Sequence, residues 1–224
     1  MSGHLNPGGQ QFRDDDGAAD PRVQAALAAY HAGQGSEQEA LTALAAARLL
    51  VPVVAAPGAA PTASEMALPT LIGQDGRPAV LAFTGLGTLA RWRTNARPVP
   101  AEADRVWRAA VADGCAVVID VAGPVPLAVE GARLAALAAG QPVPPAHEDP
   151  DVRAQVEAAI AAEPMIAGFS LTPSQQVDLA VRLHLAPGDW RPVVNRAAQG
   201  IAGRLAGRLR RGVEFSVTRD PVGS

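Results

Sequence analysis

The sequence predicts an α/β (α+β) protein: a mixed β-sheet with flanking helices, followed by a small β-β-α-β unit. Three observations predict it. Up to about residue 160, short apolar runs are interleaved with longer segments of helical periodicity. A reversal signal, "GQDGRP" (73–78), separates two of those runs. Beyond Met165 the pattern changes to period-two alternation, in "VDLAVRLHL" (177–185) and "VEFSVT" (213–218).

Residues 1–20, rich in Gly, Asn, Gln and Asp, read as a disordered lead-in. A helical segment over Val23–His31 follows. Ser36-Glu37-Gln38-Glu39 is a capping box, the Ser36 hydroxyl accepting from the Glu39 amide while Glu39 reaches back. It opens a helix through Leu41, Leu44 and Ala45 that ends near Arg48. "LLVPVV" (49–54) reads as a buried strand and "AAPGAAPTA" (55–63) as a loop. "MALPTLI" and "AVLAFT" form an antiparallel hairpin, because Asp75-Gly76 supplies the positive φ of a tight reversal. A helix then starts with Thr84 as its cap and Leu86, Leu89 and Trp92 inward. A second spans Ala101–Ala112, with Ala103, Trp107, Ala110 and Val111 inward.

"CAVVIDV" (115–121) and "PLAVE" (126–130) are two further strands, with a short helix over Ala132–Ala139. Asp149-Pro150 opens a helix through Val152, Val156 and Ile160. The last segment comprises a strand "MIAGFSL", the alternating strand 177–185, a helix from Pro192 and the strand 213–218. The domains expected are a lead-in over 1–20, an α/β domain over 21–162 and a small domain over 163–224.

The 48% hydrophobic content of the 224 residues is ample for a core, although only 4% is aromatic, so Ala, Val and Leu must fill it. All 19 basic residues are arginine and the net charge is −3, which argues against general attraction to nucleic acid or anionic membranes. Cys115 is the only cysteine, so no intrachain disulfide is possible. There is no basic-then-apolar N-terminal pattern and no apolar run near ~18 residues, so a cytoplasmic, non-membrane protein is the expectation.

Gly85-Leu86-Gly87 resembles a nucleotide-binding turn. A dinucleotide fingerprint needs a parallel βαβ unit with an acidic residue ending the next strand, and here the preceding strand is one arm of a hairpin. The glycines read as a joint between sheet and helix. Cys115, heading an apolar strand, reads as a buried thiol acting as a small hydrophobe. His147-Glu148-Asp149 reads as a helix start and not as a metal site, and His184 as a solvated residue on a wet strand face. No catalytic, metal or cofactor constellation stands out. Arg91 and Arg93 flank Trp92, which falls on the inner stripe, so they read as a solvated rim.

In the helix over 192–210, Val194, Ala198, Ile201, Leu205 and Leu209 form one stripe, while Gly200, Gly203 and Gly207 gather nearly opposite. Arg204, Arg208 and Arg211 lie along the edge between the two. Three helical glycines cost about 1 kcal/mol each relative to alanine. Either they reflect composition, or they let another backbone approach: the first domain or a second copy of the helix.

"MALPTLIGQDGRPAVLAFTGLGTLARW", "ARPVP", "GCAVVIDVAGPVPLAV" and "PPAHEDPDV" together resemble the SseB family (enhanced serine sensitivity protein B), over residues ~37 to 160. The β-β-α-β tail is similar to the family's smaller C-terminal module. The resemblance implies an α/β N-terminal domain around a mixed sheet, a cytoplasmic location and no established catalytic activity or catalytic residues. The cysteine-headed loop of a similarly named sulfurtransferase family is absent, since Cys115 runs straight into "AVVIDV".

Three functions compete. The first is a non-enzymatic interaction or adaptor module with an unidentified protein partner or self-association, with Gly200, Gly203, Gly207, Arg204 and Arg208 as interface candidates. The second is a small-molecule-binding or regulatory protein with an anion pocket at the Thr84/Gly85 joint, near Arg91 and Arg93. The third is RNA or ribosome association through arginines, which the acidic balance disfavours.

Overall fold

The computed structural model describes residues 15–55, 66–67, 69–73 and 76–219. Most of the expected lead-in, the loop at 55–63 beyond its first residue, and Asp75 lie outside these. The fold is mixed α/β, and it divides into two compact units. One is built of residues up to Ala28 with Ala40–Val143, the other of Ala29–Glu39 with residues from Pro144 onward. Two helices, α1 (Pro21–His31) and α2 (Glu37–Ala45), run across this division. The capping box closes α2 as the sequence requires. The Glu39 amide donates to Ser36 Oγ at 3.2 Å and the Ser36 amide to Glu39 Oε2 at 2.7 Å.

The first unit holds two sheets. β1 (Arg48–Ala55) pairs antiparallel with β2 (Met66–Ala67) and, farther along the chain, with Arg97–Glu102. β3 (Thr70–Ile72) pairs antiparallel with β4 (Pro78–Ala82), and Gly76 at φ 79° makes the reversal. The "MALPTLI" run is therefore two short strands in two sheets and not one. Pro69 lies between them and has no N–H to give to a ladder.

Next come α3 (Leu86–Trp92), β5 (Arg97–Glu102) and α4 (Ala103–Ala112). β5 corrects the expectation of a helix starting at Ala101. Pro98 and Pro100, two residues apart, lose donors on a single edge, which a strand with one neighbour tolerates. On α4 the buried set is Ala103, Val106, Trp107 and Ala110, whereas Val111 is 46% exposed. β6 (Ala116–Ile119) lies parallel to β4 and antiparallel to β7 (Leu127–Val129), and α5 (Gly131–Ala138) follows. The strand order of this sheet is β3-β4-β6-β7. Leu50 and Phe83 exchange two backbone hydrogen bonds, at 2.8 and 2.9 Å, and bridge the two sheets. Leu50, Leu81, Phe83 and Leu89 form a core cluster there, with the Trp92 ring tilted 36° against Phe83 at a centroid distance of 5.6 Å.

The second unit is the β-β-α-β element together with Ala29–Glu39 and one helix that precedes the element. α6 (Pro150–Ile160) leads into β8 (Ile166–Thr172), β9 (Leu179–Leu185), α7 (Arg191–Leu205) and β10 (Val213–Arg219). β8 and β9 are antiparallel, and α7 is the crossover that makes β9 and β10 parallel, giving the order β10-β9-β8. Alternation on β9 is clean, with Leu179, Val181, Leu183 and Leu185 all buried. Val152 and Val156 of α6 enter the same core, so α6 belongs with this unit and not with the one before it. On α7 the buried stripe is Val193, Ala197, Ile201 and Leu205, one residue earlier at its start than the expected Val194 and Ala198. The helix starts at Arg191, and the phase of its first turn follows Val193.

Candidate functional site

The strand-to-helix joint at Thr84 and Gly85 is densely hydrogen-bonded. Its centre is Asp120, 4% exposed, just beyond β6. The Asp120 carboxylate accepts from the Thr84 amide at 2.9 Å, the Thr84 hydroxyl at 2.6 Å and the Thr88 hydroxyl at 2.5 Å. Asp120 has φ 49°, the one positive value among described non-glycine residues, and left-handed backbone at such a residue is a strained geometry. Thr84 therefore does not cap α3, contrary to the expectation from the sequence. The N-cap is Gly85, whose backbone is extended and offers no side chain.

A strap, Asp15–Ala19, crosses this joint. Arg48, at the start of β1, grips Asp15 with its guanidinium fork, Nε to Oδ2 at 2.8 Å and Nη2 to Oδ1 at 3.0 Å. The same guanidinium donates to the carbonyls of Thr84, at 3.1 Å, and of Ala18. The Leu86 amide donates to the Gly17 carbonyl at 2.8 Å. A Cβ on Gly85 would lie 2.8 Å from the Ala19 nitrogen, and one on Gly17 (φ 75°) 2.4 Å from Leu86 Cδ1. Gly85 is thus a close-approach glycine, and what approaches is the protein's own backbone. At Gly87 a Cβ would meet nothing within 4 Å.

Beside the strap lies an open recess of about 370 Å³, lined by Asp16–Ala19, Gln24, Thr84–Thr88, Arg91 and Pro124. Leu86, expected inward, stands 42% exposed in its wall, and only Leu89 of α3 is fully buried. Arg91 lines the recess, while Arg93 lies over the Trp92 ring, 5.0 Å from its centroid. The structure thus brings Thr84, Gly85 and Arg91 together and sets Arg93 apart. Asp120, Arg48 and the strap were not singled out in the sequence. The one available signal was an aspartate ending the apolar run "AVVI".

Gly200, Gly203 and Gly207 do not share one helix face, since α7 ends at Leu205 and Gly207 lies in the turn beyond. A Cβ on Gly200 would face Ala159 of α6, and one on Gly203 or Gly207 would meet nothing within 4 Å. Arg204 reaches Gln155 at 3.4 Å. Arg208 is not a rim residue. Its Nη2 donates to Glu37 Oε2 at 3.0 Å and to Asp149 Oδ2 at 2.7 Å, with side chains 19%, 9% and 0% exposed. Burial works against the Arg208 charge, but Glu37 and Asp149 outweigh it and hold its pKa above the ordinary value.

Asp149 caps α6 as expected, accepting from the amides of Asp151 and Val152. No group of metal-ligand side chains exists among the described residues, and no described helix is long and apolar enough to cross a membrane. Cys115 precedes β6 and is half-buried, not enclosed. Burial, and then the charge of Asp113, push its thiol pKa up.

These features define a two-unit α/β protein whose first unit carries a strapped joint and an open recess. The family model for the SseB protein N-terminal domain matches residues 23–136, and the chain belongs to the SseB family. No curated protein and no solved structure matches it.

Proposed function

We propose that this SseB-family protein acts by binding and not by catalysis, as a cytoplasmic interaction module whose recess holds a segment of a protein partner. The observation that carries this reading is Leu86. It is a large apolar side chain, 42% exposed, in a wall shared with Pro124, with Arg91 and Gln24 around it. An apolar centre with a polar rim is the composition of a docking site for one anchoring side chain. Arg91 favours an acidic group beside that anchor. The side chains of reactive type at the joint, Thr84, Thr88 and Asp120, are engaged with one another, which suits a scaffold.

The test is selection of a displayed peptide library on the full-length protein. Enriched sequences should pair an apolar residue with an acidic one, and Leu86→Asp or Arg91→Glu should weaken them about tenfold or more. Enrichment that is indifferent to both substitutions overturns the reading. Stabilisation by phosphate, nucleotides or amino acids in a thermal-shift screen, lost in Arg91→Glu, would instead favour a small anionic ligand.

A further inference from the structure

The strap Asp15–Ala19 is held in the way a bound peptide is held. One carboxylate sits on the Arg48 fork, and two main-chain carbonyls, Gly17 and Ala18, accept from Leu86 N and Arg48. Among the described residues its remaining bonds are internal: the Gly17 amide to Asp15 Oδ1 at 2.9 Å and the Ala18 amide to Asp16 Oδ1 at 2.8 Å. It contributes no residue to the apolar cluster of Leu50, Leu81, Phe83 and Leu89. Ala18 is exposed and Ala19 half-buried, so releasing the strap exposes little apolar surface. Two elements of the groove beneath are set by residues outside the strap. Arg48 is also fixed by the Thr84 carbonyl at 3.1 Å, and Gly85 leaves room for main chain at 2.8 Å from a would-be Cβ.

We infer that Asp15–Ala19 is an intramolecular occupant of the groove formed by Arg48, Gly85 and Leu86, and that the partner segment displacing it carries a carboxylate two residues before a glycine. This rests on docking at the recess, as proposed above. The strap competes with that segment for Arg48 and for the Leu86 amide, so partner binding carries the cost of opening it.

The probe is a labelled, end-capped peptide of residues 14–20, titrated against the full-length protein by fluorescence anisotropy. Two variants open the strap by different means: Asp15→Asn removes the ion pair, and Gly17→Val forces a side chain into Leu86 at a positive φ. Both should bind the peptide about tenfold more tightly than the unmodified protein, and adding Arg48→Met should abolish binding. Amide exchange at Leu86 should quicken in both variants, which reports opening even where one of them folds poorly. Equal affinity in all three proteins, or binding that survives Arg48→Met, overturns the inference. Library-selected peptides that need Leu86 yet ignore Asp15→Asn and Gly17→Val also overturn it, and leave docking at the recess standing.

Discussion

Arg208 and Asp149 form a 2.7 Å ion pair in which the aspartate does two jobs with two oxygens. Oδ2 takes the guanidinium, and Oδ1 caps α6 through the Asp151 amide at 2.7 Å. Glu37 completes a three-member ionic cluster. Arg208→Met should therefore cost about 3–5 kcal/mol, because it leaves the fully buried Asp149 carboxylate without its cation. Arg208→Lys should recover only part, since one ammonium cannot reproduce a fork. Urea denaturation measures both, and a loss under about 1 kcal/mol for the methionine would show that water replaces the arginine.

Asp178 predicts a pH dependence of opposite sign to a salt-bridged aspartate. Burial raises its pKa, the Arg211 amide and charge lower it, and Glu37 and Glu39 raise it. The net shift is upward. A carboxyl with a raised folded pKa binds its proton more tightly folded than unfolded, so stability falls as pH rises from the ordinary aspartate range through the folded pKa. Asp178→Asn keeps an acceptor for the Arg211 amide, which donates at 2.8 Å. It should stabilise the protein at pH 7, by less than about 1 kcal/mol because the group is only half-buried. The difference should vanish below the ordinary aspartate range. Equal unfolding midpoints at pH 7 would refute it.

The two glycines of the joint should respond oppositely. Gly85→Ala places a methyl against the Ala19 backbone and should cost about 1–3 kcal/mol. Gly87→Ala enters open space on a helix and should gain up to about 1 kcal/mol. A phosphate cradle would tolerate neither. Thermal midpoints of the two variants decide between these accounts.

At Asp120 the strain and the bonds can be separated. Asp120→Ala loses three hydrogen bonds and keeps the left-handed backbone, and should cost about 2–4 kcal/mol. Asp120→Gly loses the same bonds but relieves the backbone, and should be less damaging by about 1 kcal/mol. If the two are equally destabilised, the positive φ stores no strain.

Local chemistry was legible in the sequence wherever neighbours in the chain supply both partners. The Ser36–Glu39 box, the Asp149 cap and the alternation of β9 are of this kind. So was the β-β-α-β order, because its period changes mark it. β5 was not legible, since Pro98 and Pro100 read as breakers until an edge position is known. Leu86 obeyed the helical period yet faces out, because a helix as short as α3 buries little more than Leu89. Asp120, Arg48 and Arg208 were unreadable for one reason. Their partners lie 36, 33 and 171 residues away, and a charged residue's partner at that range is set by topology alone.

The Glu37–Arg208 contact closes a ring of 171 residues, and that length bears on the order of folding. Closing so long a loop in a random chain costs about 4–5 kcal/mol of entropy. Most of the intervening chain is Ala40–Val143. Once that stretch has collapsed into its own compact unit, the flexible length left to close is far shorter. The two pieces of the second unit, Ala29–Glu39 and the chain from Pro144, then meet at lower entropic cost. The second unit should therefore be the late folder, with amide protection in β9 arriving after that in β6. A fragment ending near residue 136 would carry Tyr30 without the Gly207 and Arg208 carbonyls that its hydroxyl binds, and so would expose a helix face that the full chain keeps dry.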